Sequence, residues 1–254
     1  MRSPTLAVRR VGQTLRAFDN GFQLLGDLAR PGEALEFQLR GGHGTIACPN
    51  HPDARVPVYE VFAEDTYRIG ELTAGLPDDL VALDIGAHIG CFSVALVLAR
   101  PHARVHAWEA SPSTAGWLRR NLELNAIGDR VVPHAQAVCD HRGTLAFADN
   151  TNGSALNGAG AATIDVPCVT VADAFAAAGG RVDLVKIDTE GAEYSLVLDS
   201  APSTWARVRR VVLEYHDVPG HSFPELVRFF ASAGLRVSAV EEATPRQGTA
   251  WLEG

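Results

Sequence analysis

The twenty residues VALDIGAHIGCFSVALVLAR (81–100) compress an apolar run, a turn holding two glycines and a second apolar run. Val81–Ile85 has the length and composition of a buried strand, whereas Phe92, Ala95, Leu96 and Ala99 recur at helical spacing through 91–100. Pro101 ends that helix, because its ring blocks the next turn. A buried strand running straight into a helix leaves few options. The helix must fold back over the strand, and further units of the same kind must extend the sheet.

Such units follow. ARVHAWE (103–109) reads as the next strand, with Ser111 as N-cap and Pro112 as the first residue of a helix closed by Gly128. RVVPHA (130–135) is a weaker strand, and GTLAFAD (143–149) and TIDVPCVTV (163–171) have strand composition. RVDLVKID (181–188) is a strong buried strand leading to a helix from about Gly191 to Leu198, and RVVLEYH (210–216) repeats the pattern. SFPELVRFFASAG (222–234) opens on a capping box, Ser222 with Glu225, and turns Phe223, Leu226, Val227 and Phe230 to one face. LRVSAV and GTAWLEG form a closing hairpin. The repetition predicts an α/β fold, a mainly parallel sheet with helices on both faces.

Residues 1–75 read as a small α+β extension before a main domain spanning 76–254. It holds an N-terminal helix, a hairpin with a Gly-Gly turn in RPGEALEFQLRGGHGTIACP, and a short helix in PVYEVFAEDTYRIGEL. The extension is also the expected contact of a homo-oligomer. The stretch TNGSALNGAGAA (151–162) reads as a loop, and 150–160 suits either a gate over a substrate or a surface linker.

Composition removes several function classes. A net charge of −8 argues against a nucleic-acid surface, which needs clustered Lys and Arg. The four cysteines show no CxxC spacing, so neither a thiolate zinc site nor a disulfide framework is expected, and a reducing cytoplasm is the natural home. No apolar run approaches the ~20 residues needed to span a bilayer. The opening MRSPTLAVRRVGQTLRAF carries arginines without an apolar signal core; a plain helix is the main reading and a transit peptide the alternative.

Ligands of such sheets sit beyond the carboxyl ends of the strands. A nicotinamide fingerprint needs glycines where this turn has Gly86, His88 and Cys91, so two of the three positions fail. A phosphate-binding loop needs a lysine after Gly90, and none is there. What remains is Asp84-x-Gly86-x-x-x-Gly90, with the acid Glu109 ending the next strand. A carboxylate at the turn suits an ammonium group, the helix N-terminus suits a carboxylate, and Glu109 suits ribose hydroxyls. An amino acid joined to a nucleoside carries all three, and S-adenosyl-L-methionine is that molecule. The bland alternative is an ordinary tight turn beside a helix-stabilising acid.

LDIGAHIG, WEASPSTAGWLRRNLELNA, AVCDHRGTLAF and, most specifically, the K-I-D-x-E-G-A-E of VKIDTEGAEYSLVLDS resemble the FkbM-type S-adenosylmethionine-dependent methyltransferases over residues 58–240. The resemblance implies the Rossmann-like class I methyltransferase fold, a seven-stranded sheet with one antiparallel strand near its edge. It implies O-methylation of a small molecule, often a polyketide or sugar hydroxyl. It also implies that Asp84, Gly86, Ala87, His88 and Gly90 hold the methionine end of the cofactor, Glu109 and Ala110 the ribose, and Gln136 and Ala137 the adenine. His88 stands where asparagine is commoner. Tyr67 is expected over the cofactor as part of a lid with Tyr59 and Phe62; anchoring the extension is the competing role for all three.

Methyl transfer to a hydroxyl needs alignment and a proton acceptor. Asp188, Glu190, Glu214 and His216 all fall at strand ends. Histidine titrates near neutrality, so His216 or Asp188 is the expected base, with Glu214 orienting the substrate and Asp188 also touching the cofactor. Asp188 equally suits a helix cap, and Glu190 and Glu193 suit first-turn acids. Asp188, Glu190 and Glu214 offer hard oxygens for magnesium, but their spacing does not require a metal and none is predicted. N-methylation on the same scaffold, and a non-catalytic cofactor-binding protein, are the alternative functions.

Overall fold

The computed structural model describes residues 4–28, 30, 34–148 and 163–254. Helices α1 (Pro4–Ala17) and α2 (Gly21–Asp27) precede an antiparallel hairpin of β1 (Ala34–Gln38) and β2 (Thr45–Pro49). Its connection places Gly41 and Gly42 at φ +77° and +71°, where a side chain would be strained. The single short helix expected next is two, α3 (Val56–Phe62) and α4 (Ile69–Leu72). Asp65 and Arg68 both take φ +50° between them, which breaks the helix, and the Asp65 carboxylate accepts from the Ile69 amide at 3.1 Å.

The main domain then alternates strand and helix: β3 (Val81–Ile85), α5 (Cys91–Ala99), β4 (Arg104–Trp108), α6 (Pro112–Leu124) and β5 (Val131–His134). Ser111 caps α6 as expected, its hydroxyl accepting from the Thr114 amide at 3.1 Å. That helix stops at Leu124, short of Gly128. Ala126 already takes φ +50°. The Asn125 amide is diverted to β2, accepting from the Thr45 amide at 2.9 Å and donating to its carbonyl at 2.7 Å. Asn121 does the same one turn earlier, on both backbone groups of Ala47. Two side-chain amides thus stand in for a third strand beside the hairpin.

β6 (Ala137–Cys139), β7 (Gly143–Ala148) and β8 (Thr163–Thr170) form a separate three-stranded sheet. The sequence shows β7 and β8; β6, three residues long, is too short to leave a periodic signal. Helix α7 (Val171–Ala177) starts from a Thr170–Asp173 capping box. After it come β9 (Leu184–Ile187), α8 (Glu193–Leu198), α9 (Pro202–Trp205), β10 (Arg210–Tyr215), α10 (Phe223–Ser232), β11 (Arg236–Thr244) and β12 (Gln247–Glu253).

The main sheet has seven strands in the order β11-β12-β10-β9-β3-β4-β5. β12 runs antiparallel to both its neighbours, and the other pairs are parallel, so one reversed strand lies next to the edge. The period of two sorts side chains between two cores. Ala82, Val105, Leu184 and Val212 face α5, α6 and the N-terminal segment, packing with Phe92, Leu118 and Phe37. Leu83, Ile85, Val185, Ile187 and Val211 face Phe175, Tyr194, Trp205 and Phe230 on the other side. The sequence order reverses at β3, whose neighbours are β4 and β9. There the strand ends splay into a crevice.

Candidate active site

A cavity of about 460 Å3 opens at that point. Its wall includes Tyr67, Gly86, Ala87, His88, Glu109, Ala110, Gln136, Ala137, Asp188, Glu214 and His216, which are eleven of the thirteen residues expected to bind the cofactor or act on the substrate. Asp84 and Gly90 are not part of the wall. Asp84 is fully buried behind the turn, where one oxygen accepts from the Ser93 hydroxyl at 2.7 Å and the other lies 3.4 Å from the Lys186 ammonium. Gly90, at φ +89°, begins α5 against Leu118. A larger groove of about 930 Å3 lies elsewhere, but Arg16, Arg40 and His43 are its titratable members and no acid joins them.

The glycine turn is shaped by its neighbour strand. Gly86 has φ +79°, and a Cβ there would lie 1.7 Å from the Asp188 carbonyl oxygen, so no other residue fits. Glu109, ending β4, fastens the turn: its carboxylate accepts from the His88 amide at 2.8 Å and the Ser111 amide at 2.9 Å. Burial pushes its carboxyl up to about 7, with those two amides pulling the other way. The ring of His88 is held down to about 4 by burial, and its Nδ1 has no partner among the described residues. Trp108 Nε1, in the same wall, is likewise buried and unpartnered among the described residues. Two orphaned buried polar atoms at a wall are what a polar ligand would satisfy.

Against the turn lies a cluster that only the fold assembles. β3 and β9 pair in register with Asp84 beside Lys186, so the one lysine of an otherwise apolar strand meets a carboxylate. Lys186 also donates to the Gly86 carbonyl at 2.6 Å and lies 3.5 Å from Asp188. Burial alone would discharge it, but Asp188, Asp84 and Glu214 outweigh burial and keep it a cation. Tyr67 donates to Glu214 at 2.8 Å and Asp188 at 3.3 Å. Its backbone is tied by Trp251 Nε1 at 3.2 Å and its ring stands edge-on to Phe92 at 5.3 Å, so Tyr67 belongs to the fixed wall. Tyr59 instead packs edge-on against Phe18 and Phe37 and shares a 2.8 Å hydrogen bond with Thr14. The 150–160 loop, expected as a gate, lies outside the described residues.

Asp188, Glu214 and His216 bring one ligand atom each within 4.8 Å of one another. Glu214 is pushed well above the carboxylate range by burial and by Asp188. Glu60, on α3, lines the same cavity and is pushed up to about 7 by burial and Asp188. Sequence reasoning passed over Lys186 and Glu60. The signal in both cases is a charged residue inside an apolar run, LVKI and VYEVF.

Fold and cavity define a class. The chain superposes on the SAM-dependent methyltransferase of Agrobacterium tumefaciens with a TM-score of 0.51 and 13% identity, covering 87% of this chain and 69% of that one. The fold is that of the class I S-adenosylmethionine-dependent methyltransferases. The methyltransferase FkbM domain model matches residues 84–237, more than half of the chain, and the protein belongs to that family. The chain is 28% identical to the 31-O-demethyl-FK506 methyltransferase FkbM of Streptomyces tacrolimicus, covering 78% of this chain and 88% of that protein. It is 26% identical to the methyltransferase sdnD of Sordaria araneosa, covering 63% and 74%. The protein is an S-adenosylmethionine-dependent methyltransferase. Among the described residues no helix is long and apolar enough to cross a membrane.

Proposed function

We propose that this methyltransferase alkylates a hydroxyl oxygen of a small natural product. The observation that carries the reading is one cavity lined by both halves of the chemistry: the glycine turn with Glu109, and Tyr67, Asp188, Glu214 and His216. The name of the Streptomyces relative refers to an O-demethyl substrate, which supports oxygen as the acceptor atom. S-adenosylmethionine supplies a methyl group on a sulfonium, already a good leaving group.

What the chain contributes is placement. Gly86, Ala87 and His88 line the methionine end, Glu109 and Ala110 receive the ribose, and Gln136 and Ala137 border the adenine. Asp84 serves from behind, holding Lys186 against the turn. Tyr67 and Asp188 face the sulfonium, where negative charge and fixed dipoles favour a cation. His216 and Asp188 are the candidate proton acceptors, and Glu214 orients the hydroxyl. The Asp188 and Glu214 oxygens that face Tyr67 already accept from it, and Lys186 stands beside Asp188, so the cluster reads as proton-handling machinery in preference to a metal centre. The N-terminal segment, residues 1–75, serves as a cap on the main domain and a candidate subunit contact.

Incubation with methyl-labelled cofactor and hydroxylated natural products, 31-O-demethyl-FK506 first, tests the reading. A mass gain of one methylene on oxygen supports it. Label on nitrogen, or none on any hydroxylated compound, overturns it.

A further inference from the structure

Glu193, the last acid of the K-I-D-x-E-G-A-E stretch, is fully buried at the start of α8. One of its oxygens accepts from the Gly191 amide at 2.8 Å and the Thr189 hydroxyl at 3.3 Å. The other accepts from the His216 backbone amide at 2.7 Å and lies 3.2 Å from His216 Nδ1. A carboxylate cannot donate, so Nδ1 carries the proton facing it. The other ring nitrogen, Nε2, then turns to Glu190, 3.4 Å away in the cavity wall. A buried carboxylate that fixes a histidine's tautomer and turns the far nitrogen to a cavity is the arrangement of a positioned base. Asp188 is differently placed, its oxygen taken up by Tyr67 and Lys186.

Building on the oxygen-methylation reading, we propose that Glu193 is a positioning residue that holds His216 with Nδ1–H inward and Nε2 toward the cavity, and that His216 accepts the proton of the substrate hydroxyl. As the O–C bond forms and the S–C bond breaks, the hydroxyl proton passes to Nε2 and the sulfonium becomes a neutral thioether. Four acids bear on the ring: Glu193 from α8, Glu190 and Asp188 from the link before it, and Glu214 from β10. Burial favours the neutral imidazole, but Glu193, then Glu190 and Asp188, outweigh it and raise the ring to about 9. Activity should therefore climb with pH through the ring's titration.

Nitrogen-15 spectra of the S-adenosylhomocysteine-bound protein, with His216 assigned through H216N, test the positioning without any acceptor. The wild-type neutral ring should be protonated at Nδ1. In E193Q the titration should fall from about 9 toward the ordinary value of about 6.5, with cofactor-product affinity within about threefold. In the transfer assay H216N should lose about 10²–10⁴-fold in kcat, and H216N/E193Q should be no slower than H216N, since nothing is left to position. A wild-type ring protonated at Nε2, a titration unmoved in E193Q, or H216N with kcat near wild type overturns the proposal. Loss of wild-type activity to a chelator, restored by magnesium, also overturns it. Wild-type protein that binds no S-adenosylhomocysteine sinks the cofactor reading instead, and spectra of the ligand-free protein still decide the role of Glu193.

Discussion

At the scale of single residues, the site is a set of acids held in company they would not choose in water. Glu60 and Glu109 are each raised to about 7 by burial, above the value of about 4.5 they have in the unfolded chain. Their contribution to stability is full below about pH 4.5 and is lost as pH rises through 7. His216, raised to about 9, stabilises the fold below about 6.5 and stops doing so as pH climbs through 9. The three act in the same direction on the alkaline side. The ligand-free protein should therefore melt at progressively lower temperature from pH 6 to pH 9, as followed by scanning calorimetry. A melting temperature that rises across that range contradicts the assignment. On the acid side His88 and His134, both held near 4 largely by burial, work the opposite way, since their contribution is lost as pH falls to 4.

At the scale of elements, the attachment of the N-terminal hairpin depends on two asparagines of α6. Asn121 makes three hydrogen bonds, two to Ala47 and one to the Ile89 carbonyl at the turn. Asn121→Ala orphans buried backbone groups at about 1–3 kcal/mol each, so a loss of several kcal/mol is expected in urea unfolding. A loss below about 1 kcal/mol contradicts the link. Neither asparagine stands out in WLRRNLELNA, because a side chain that pairs with a distant strand leaves no periodic mark. Most strands and helices of the main domain were legible, since burial on two faces writes itself as apolar runs and caps; the short β6, α7 and α9 were not. So were the turn and the acids at strand ends. The interior role of Asp84 was not: its partner Lys186 is 102 residues away and reaches it through sheet register alone. The split of α3 from α4, and the early stop of α6, depend on left-handed residues such as Arg68 and Ala126 whose identities do not announce that conformation.

At the scale of the molecule, the reversal of strand order at β3 gathers residues from Asp53 to Gln247 around one cavity, and this explains how short and scattered stretches act together. The N-terminal segment contributes Tyr67 and Glu60 to that wall, so it completes the site as well as covering the sheet. The claim on which the account rests is that this cavity grips the cofactor through the glycine turn and Glu109. Isothermal titration of S-adenosylhomocysteine into wild type and Glu109→Ala tests it directly. Saturable binding at one site per chain is expected, weakened about tenfold or more by the substitution, as when a charge-assisted hydrogen bond worth about 1.5–3 kcal/mol is removed. Absence of wild-type binding, or equal affinity in both proteins, would contradict it.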